Sequence, residues 1–310
     1  MSPSERVIAL ANEKAGRRQR SAQQAAVAEL RRTADVEVAR PSGMDGLAAA
    51  VAGAQGRRLV VMGGDGTVHA LAQVLHRSGR LRDIGPVALV PMGTGNDLAR
   101  SLGLPLDDPV AAARVALGGR VRDLEILVDD TDAVVVNAVH VGVGAEAGAR
   151  AATIKDSLHS VGLGRAAYPL GAVAAGARTS GWALRVVLDG EVLHVGDTRT
   201  LLVAVGIGNS VGGGAPLSPD ADPFDGELDV TVSTATGPLA RVAYAVSVSS
   251  GTHVDRADSV TGRGSELTVE SVDGEPFRCN ADGEVGEPVT RRTWRVVPAA
   301  WQLVTGPVDG

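Results

Sequence analysis

Two short segments of the sequence place glycines beside acidic and amide side chains, and both could bind a phosphate. Residues 63–67 read Gly-Gly-Asp-Gly-Thr, and residues 93–97 read Gly-Thr-Gly-Asn-Asp. Each follows an apolar run, at 59–62 and 87–90, and precedes a helical pattern of apolar residues. Glycines let the backbone bend tightly and approach a ligand, and the amides at a helix start attract an anion. The pattern therefore favours phosphate binding over a packing turn alone.

The polar side chains in these segments have competing roles. Asp65 would repel a phosphate, so a magnesium ion or a water network is expected between them. Thr67 stands where an N-cap is expected, and Asp97 is a candidate N-cap as well as a candidate metal ligand. Asn96 could hydrogen-bond a phosphate or a hydroxyl. Arg100, one turn into the next helix, could reach back to a phosphate.

Strands and helices must alternate to position these segments. Over about the first 120 residues, strand candidates and helical patterns follow one another at 7–10, 18–32, 36–38, 46–54, 59–62, 68–75, 87–90 and 98–102. This alternation predicts a parallel sheet with helices on both faces. Successive strand ends of such a sheet face one crevice, where ligands bind.

The pattern changes to antiparallel β-structure in the second half of the chain. Residues 184–188 and 192–195 flank Asp189-Gly190, which predicts a hairpin. Further strand candidates are found at 200–205, 228–232, 267–269 and 294–297. Helical patterns are fewer, at 146–151, 168–178 and 239–248. We predict a boundary near residue 125 between an α/β part and a mainly antiparallel β part.

The two glycine segments together resemble the diacylglycerol kinase catalytic-domain family, which includes bacterial lipid kinases and the sphingosine and ceramide kinases. The Gly-Gly-Asp-Gly core also occurs in NAD kinases and phosphofructokinases, whereas the stretch at 93–100 separates the lipid kinases from both. The resemblance continues along the chain at 11–16, 137–147, 208–230, 280–285 and 298–306. Glu13 stands where the family usually has proline, and Glu146 where it usually has aspartate or a similar residue.

The resemblance implies a fold of two domains. Residues 1–125 would form an α/β nucleotide-binding domain with a parallel sheet, like that of NAD kinases and diacylglycerol kinases. Residues 126–298 would form a mainly antiparallel β-sandwich that accepts the lipid. The final strand, at about 299–310, would return to the first domain, and the active site would lie in the crevice between the domains.

The resemblance also implies the binding residues. ATP would be cradled by residues at three turns of the first domain, namely Asn12, Gly16, Arg17, Gly63, Gly64, Asp65, Gly66, Thr67, Gly93, Thr94, Gly95, Asn96 and Arg100. Asp65, Asp97 and Asp123 would belong to an acidic magnesium–water network. A structural magnesium site would use the side chain of Asp225 with the carbonyls of Asp222 and Glu227. An ordinary turn before the next strand is an equal alternative for that segment.

Asp282 is the predicted general base, since a carboxylate held at a glycine turn can accept the proton of a lipid hydroxyl. Glu284, two residues later in an extended strand, would project to the same side and help to hold magnesium or adenosine. Asp65 is the third residue with a predicted catalytic role. The tripeptide Asp-Gly-Glu is typical of hairpin turns and also occurs at 189–191 and 273–275. Only its position relative to the family selects Asp282.

The acceptor side is less specific. Apolar residues that could wall a lipid crevice, although such residues are more often core, are Val139, Val141, Val143, Tyr168, Leu170 and Val173. Arginines that could meet an anionic lipid surface, if they share a face, are Arg17, Arg18, Arg31, Arg32, Arg57, Arg58, Arg77, Arg80 and Arg82. Scattered solvated arginines are an equally good interpretation of this second set.

Composition limits the remaining classes of function. The chain has 310 residues, a net charge of −6 and 2% aromatic residues, which disfavours a nucleic-acid partner. Cys279 is the single cysteine, so neither an internal disulfide nor a cysteine-based zinc site can form. No apolar run reaches the roughly 20 residues of a membrane span. We expect a cytoplasmic protein, at most peripheral at the inner membrane face.

These observations together predict an ATP-dependent, magnesium-requiring lipid kinase that phosphorylates a diacylglycerol-like hydroxyl to give phosphatidate. A kinase of another lipid alcohol, such as a sphingoid base or ceramide, is the nearest alternative. A non-catalytic nucleotide-binding regulatory member of the family is the alternative from another class. Whether the protein forms a homodimer stays open at this point.

Overall fold

The computed structural model describes residues 5–12, 16–54, 56–145 and 180–306. Its contacts divide the chain into two compact units, Met1–Glu125 with Pro298–Gly310, and Ile126–Val297. The predicted helices at 146–151 and 168–178 lie outside the described residues. So do Glu13, Glu146 and three of the lipid-wall candidates, Tyr168, Leu170 and Val173.

The first unit alternates strands and helices around a parallel sheet, as predicted. Its elements are β1 (Glu5–Ala11), α1 (Arg17–Leu30), β2 (Ala34–Ala39), α2 (Gly43–Ala52), β3 (Arg58–Gly63), α3 (Asp65–Arg77), β4 (Val87–Pro91), α4 (Asp97–Ser101), α5 (Pro109–Gly118) and the first part of β5 (Arg120–Asp129). The parallel strands lie in the order β2-β1-β3-β4. This is the parallel sheet expected from the alternating pattern.

Burial explains why these strands form the centre of the sheet. All five residues of β4 and the last five of β3 are buried, as expected for strands covered by helices on both faces. Val60 and Ala88 share a cluster with Leu30 of α1 and Ala113 of α5. The start of α5 is well capped, because the Asp108 carboxylate accepts hydrogen bonds from the N–H groups of Val110 and Ala111, and Pro109 occupies the first helical position.

The second unit is mainly antiparallel β, again as predicted. Its elements are the last part of β5, β6 (Val134–Val135), β7 (Ala138–Gly142), β8 (Leu184–Leu188), β9 (Glu191–His194), β10 (Leu202–Gly206), β11 (Leu228–Ser233), α6 (Pro238–Ser249), a 3-10 turn (Thr252–Asp255), β12 (Ser259–Gly264), β13 (Glu266–Ser271), β14 (Cys279–Ala281), β15 (Glu284–Val285) and most of β16 (Arg291–Thr305).

Two sheets face each other in this unit. One has the order β12-β11-β10-β7-β14-β15, and in the other β13 lies between β16 and β8, with β9 at the edge. Val203 and Val230 of the first sheet share a core with Val186, Leu267 and Trp294 of the second. Side chains of two sheets interdigitating in one core define a β-sandwich.

The final strand is longer than the sequence pattern indicates. One strand, β16, covers the predicted segment 294–297 and residues 299–305 of the final strand predicted at about 299–310; residues 307–310 lie outside the described residues. Its beginning pairs with β13, whereas Leu303 pairs in parallel with Val87 of β4. Ala299 has a φ of 48°, a left-handed value within an extended strand. β16 therefore bends at the residue after Pro298, where the chain passes from the second unit into the first.

Candidate active site

The two glycine segments leave the same edge of the parallel sheet. Ala11 of β1 is in register with Met62, and Gly63 of β3 is in register with Pro91 of β4. The turns after these three strands therefore begin at one level. This edge is where ligands bind in open α/β sheets.

Close packing explains three of the glycines. A Cβ atom on Gly64 would lie 2.7 Å from the Gly93 Cα, and one on Gly93 would lie 2.6 Å from the Gly64 Cα. A Cβ on Gly63 would lie 2.6 Å from the Thr67 Oγ1. Gly16 and Gly66 differ, because a Cβ at either would meet no atom of the described residues within 4 Å. Among those residues, both positions leave space in which a ligand could approach the backbone.

Both helix starts differ from the sequence-based predictions. α3 begins at Asp65 with Gly64 at the N-cap, so Thr67 lies inside the first turn and is not an N-cap. α4 begins at Asp97, and Asn96 at its N-cap adopts a left-handed φ of 55°, so Asp97 is not a cap either. In both cases the backbone turns before a capping side chain is reached, without a side-chain cap hydrogen bond.

Asn96 shapes the second glycine turn. The Gly93 N–H donates to Asn96 Oδ1 over 2.9 Å, and Asn96 Nδ2 donates back to the Gly93 carbonyl over 3.0 Å. The side-chain amide is buried, and these two bonds tie it to the turn itself. Arg100 does reach back, as its Nη2 lies 3.5 Å from the Gly95 carbonyl oxygen.

Asp65 and Asp97 form an acidic pair beside the glycine turns. Burial raises the pKa of Asp65, and the neighbouring charge of Asp97 raises it further, against the amides of residues 96–98. The Leu98 N–H lies 3.4 Å from Asp65 Oδ1, and Asp97 is only 6% exposed. Two carboxylates that disfavour each other's charge, together with the space beside Gly66, suit a magnesium ion with a phosphate.

Asp123, the third acid of the predicted magnesium–water network, has a different partner. It is exposed on β5, and Gln302 Nε2 donates to its Oδ1 over 3.1 Å. Asp97 acts on the charge of Asp65. In the part of the chain that the structure describes, no three His, Cys, Asp or Glu side chains gather as a metal site. The structure thus brings Asp65 and Asp97 together, whereas Asp123 pairs with Gln302.

The first turn adds one residue that the sequence did not reveal. Gln19 of α1 donates from Nε2 to the Met92 carbonyl over 3.2 Å, which ties α1 to the second glycine turn. Asn12 follows β1, Gly16 precedes α1, and Arg17 is the exposed first residue of that helix. A glutamine on a helix carries no local signal of such a contact, because its partner is 73 residues away.

Asp282 lies in the two-residue turn between β14 and β15, in the second unit. Its carboxylate accepts hydrogen bonds from the N–H groups of Val136, Asn137 and Ala138, over 2.7, 3.0 and 3.1 Å. It therefore fastens the β14–β15 turn to the start of β7. Asp282 has a left-handed φ of 49° and lies in the turn before Glu284, so the two residues do not share the extended strand on which their same-side placement was predicted.

Asp189 has nearly the same local structure as Asp282. It also has a φ of 49°, precedes a glycine and begins a two-residue hairpin turn. Its carboxylate accepts the N–H groups of Ser265 and Glu266 over 3.0 and 2.8 Å. Burial acts to raise its pKa, but these hydrogen bonds outweigh burial and hold the pKa below its usual range. Both Asp189 and Asp282 thus lie in the hairpin turn that is typical of the tripeptide Asp-Gly-Glu.

The predicted structural magnesium segment surrounds an arginine. The Arg263 guanidinium pairs with Asp225, lies 3.3 Å from Glu227 Oε2 and lies 3.5 Å from Asp229 Oδ2. The Asp222 carboxylate caps the next turn by accepting the Phe224 N–H. Burial raises the pKa of Asp229 to about 6, although Arg263 opposes the shift. A guanidinium therefore supplies positive charge to these acids.

Comparisons with known proteins agree with this architecture. Residues 6–128 match the model of the diacylglycerol kinase catalytic domain, and residues 137–305 match that of the YegS C-terminal NAD kinase beta sandwich-like domain. A diacylglycerol kinase of Mycobacterium tuberculosis is 31% identical over 255 residues, which cover 79% of this chain and 76% of that protein. The chain belongs to the diacylglycerol kinase family. It is a lipid kinase by membership, and a kinase implies ATP as the phosphoryl donor.

Two further proteins resemble this chain, one in sequence and one in fold. A protein of Stenotrophomonas maltophilia (strain K279a), named "Probable lipid kinase YegS-like", is 31% identical over 245 residues, covering 77% of this chain and 74% of its own. The crystal structure of a diacylglycerol kinase from Bacillus anthracis str. Sterne superposes with a TM-score of 0.71 at 18% identity, covering 100% of both chains. At that identity the likeness shows the shared fold.

A lipid kinase of this family must meet its acceptor, and the structure accounts for several residues considered for that purpose. Val139 and Val141 lie in the sandwich core, and Val143 packs in a cluster with α6. Many arginines of the first unit have partners within the chain. Such contacts join Arg32 to Glu29, Arg57 to Glu37, Arg58 to Glu5, Arg80 to the Val51 carbonyl and Arg82 to the Pro298 carbonyl. Among the described helices, none has the length and apolarity needed to cross a bilayer.

Proposed function

We propose that this member of the diacylglycerol kinase family transfers the γ-phosphate of ATP to the free hydroxyl of diacylglycerol, which yields ADP and phosphatidate. The observation that carries the proposal is the sheet edge where the Asp65–Asp97 pair adjoins two glycine turns with open space beside Gly66. Phosphoryl transfer depends mainly on positioning and charge compensation, and this edge offers both. The acceptor resides in a bilayer, so we place the reaction at the inner membrane face.

The first unit holds the nucleotide in this proposal. The backbone of Gly64–Gly66 and Gly93–Gly95 contacts the phosphates, with Asn12, Gly16 and Arg17 along the first turn. Asn96 keeps the second turn in shape through its two hydrogen bonds with Gly93. Asp65 and Asp97 would hold Mg²⁺, which when bound compensates the charge of the phosphates. Without a cation, the two carboxylates disfavour each other.

The second unit presents Asp282 to the acceptor hydroxyl. Its carboxylate is held in place by the amides of residues 136–138. We assign Asp282, the base that the family resemblance implies, to orienting the hydroxyl by accepting its hydrogen. The hydroxyl oxygen forms the new bond to the γ-phosphorus as the bond to the bridging oxygen of ADP breaks. The hydroxyl proton leaves toward Asp282.

The test is phosphate transfer from labelled ATP, with Mg²⁺, to diacylglycerol, a sphingoid base and ceramide in mixed micelles, with NAD as a soluble control. We expect a labelled product from diacylglycerol, and loss of that product in Asp65→Asn. A product from ceramide or a sphingoid base instead would replace the acceptor and keep the mechanism. ATP binding without any product would favour a regulatory, non-catalytic member.

A further inference from the structure

α6 exposes an apolar stripe. Leu239, Val242 and Val246 are 86%, 57% and 59% exposed. Their spacing of three and four residues places them on one face of the helix. The opposite face is buried, with Tyr244 and Val248 in a cluster of the second unit. The helix is therefore anchored by one side, and the other side presents large apolar groups to solvent.

The exposed side also lacks charge. From Pro238 to Ser250 the sequence contains one ionisable side chain with charge at neutral pH, Arg241, and this residue is buried. The rest of the exposed residues of the helix are Pro238, Ala243 and Ser249. Exposed helix faces ordinarily carry charged and polar residues. A contiguous apolar face without charge marks an interaction surface.

We propose that this face of α6 inserts into the surface of the bilayer that contains the acceptor lipid. The inference rests on the lipid acceptor proposed above. An apolar helix face without charge suits the boundary between headgroups and acyl chains, because nothing on it must be desolvated at a cost. Several arginines considered for membrane contact are instead paired within the chain.

A second copy of the chain is a poorer occupant. Stable protein interfaces bury roughly 800 Å² on each partner, with a polar rim around an apolar centre. Three large side chains on two turns of helix expose well under that area, and no charged group on the exposed face of α6 could form a rim. Shallow insertion of the same three side chains in a bilayer needs neither a large buried area nor a polar rim. Binding through them should also be insensitive to salt, unlike binding through arginines.

The experiment measures co-sedimentation of the full chain with vesicles of phosphatidylcholine containing a small fraction of dioleoylglycerol, at low and high salt. The variant combines Leu239→Ser, Val242→Ser and Val246→Ser. We expect bound protein to fall about tenfold or more, since apolar burial drives the association. The control combines Val195→Ser and Val272→Ser, two valines that are 58% and 57% exposed elsewhere in the second unit. The control should bind like the wild type. Salt should change the vesicle binding of neither the wild type nor the control.

The outcomes separate this proposal from the proposed reaction. A short-chain diacylglycerol dissolved as monomers should be phosphorylated equally by the wild type and the α6 variant. Absence of turnover with every acceptor would refute the reaction, while the vesicle assay would still decide the role of α6. Equal vesicle binding by the wild type and the variant would overturn the proposal. So would a wild-type dimer that becomes monomeric in the variant without loss of vesicle binding. Leu239→Ser alone replaces the triple variant if circular dichroism shows that the latter is unfolded.

Discussion

Gly66 and Gly93 separate two uses of glycine at the scale of single residues. Gly93→Ala would place a Cβ 2.6 Å from the Gly64 Cα, so we expect a loss of about 1–3 kcal/mol in unfolding free energy. Gly66→Ala meets no atom and lies in the first turn of α3, so stability should rise by up to about 1 kcal/mol. Thermal unfolding checks both values.

ATP affinity should not follow stability at Gly66, because the more stable variant is expected to bind the nucleotide more weakly. If phosphates approach the backbone at Gly66, the stable Gly66→Ala protein should bind ATP at least about tenfold more weakly by calorimetry, from steric exclusion worth roughly 1.4 kcal/mol. Unchanged ATP affinity in Gly66→Ala would show that the open space beside α3 is not used by the nucleotide.

The ionised Asp65 carboxylate should destabilise the metal-free protein at neutral pH. The folded-state pKa of Asp65 lies above the ordinary value of 3.8. The stability that the neutral carboxyl contributes is therefore fully present below pH 3.8 and is lost as pH rises through the folded-state pKa. Asp65→Asn should therefore unfold at a higher temperature than the wild type at pH 7, with a smaller difference near pH 3. Magnesium affinity should fall on the order of 10–100-fold. A variant less stable than the wild type at pH 7 without magnesium would contradict this account.

Asp282 and Asp189 are a matched pair for separating structure from chemistry. Each carboxylate accepts backbone N–H groups from another strand, so Asp282→Asn and Asp189→Asn should each cost about 1–3 kcal/mol in unfolding free energy. Only Asp282→Asn should lower kcat, by about 100-fold or more, at a temperature where both variants are folded. Equal kcat values in the two variants would leave Asp282 with a purely structural role.

Residue types at this site were largely predictable, but their partners were not. Glycines and acids in a strand–turn–helix context identified the edge that carries Asp65 and Asp97. The hydrogen bonds of Asn96 to Gly93, and of Asp282 to residues 136–138, depend on the left-handed backbone at both residues. The partners of Asp282 lie about 145 residues away, so no local pattern in the sequence indicates them.

At the scale of elements, Arg263 of β12 pairs with three acids in and just before β11. Removal of the guanidinium in Arg263→Ala would leave Asp225, Glu227 and Asp229 facing one another. We expect a loss of about 0.5–1 kcal/mol at pH 7.5, since these groups are partly exposed. The pKa of Asp229, already about 6 through burial, should rise further, so this loss should shrink as pH falls toward 4.

Added divalent cations are a second test of the acids around Arg263. Calcium or magnesium should stabilise Arg263→Ala more than the wild type, because the acids then lack their guanidinium. Asp225→Asn in the Arg263→Ala background is the control and should remove most of that gain. Equal stabilisation of all three proteins would show that the cations act elsewhere, for example at Asp65 and Asp97.

Element types followed from periodicity, whereas several boundaries did not. Buried strands such as β3 and β4 read directly as apolar runs, and Asp189-Gly190 marked its hairpin. The start of α3 lies two residues before Thr67 because Gly64 provides the extended N-cap without a side chain. β16 was read as two strands because proline ordinarily interrupts a strand, yet the chain continues through Pro298 by a bend at Ala299.

The discontinuous first unit gives a prediction at the scale of the whole molecule. Trp301, Leu303 and Val304 of β16 are fully buried, and they complete a unit whose other residues precede residue 126. A chain that ends at residue 297 loses all three, and each large buried side chain is worth about 2–5 kcal/mol. The combined loss is comparable to the roughly 5–15 kcal/mol by which a typical domain is stable.

The truncated chain should therefore lose ATP binding by calorimetry, although Asn12, Asp65 and both glycine turns remain. Residues 5–125 joined through a flexible linker to 298–306 should bind ATP again. Wild-type ATP affinity in the chain that ends at 297 would show that the end of β16 is dispensable for the nucleotide site.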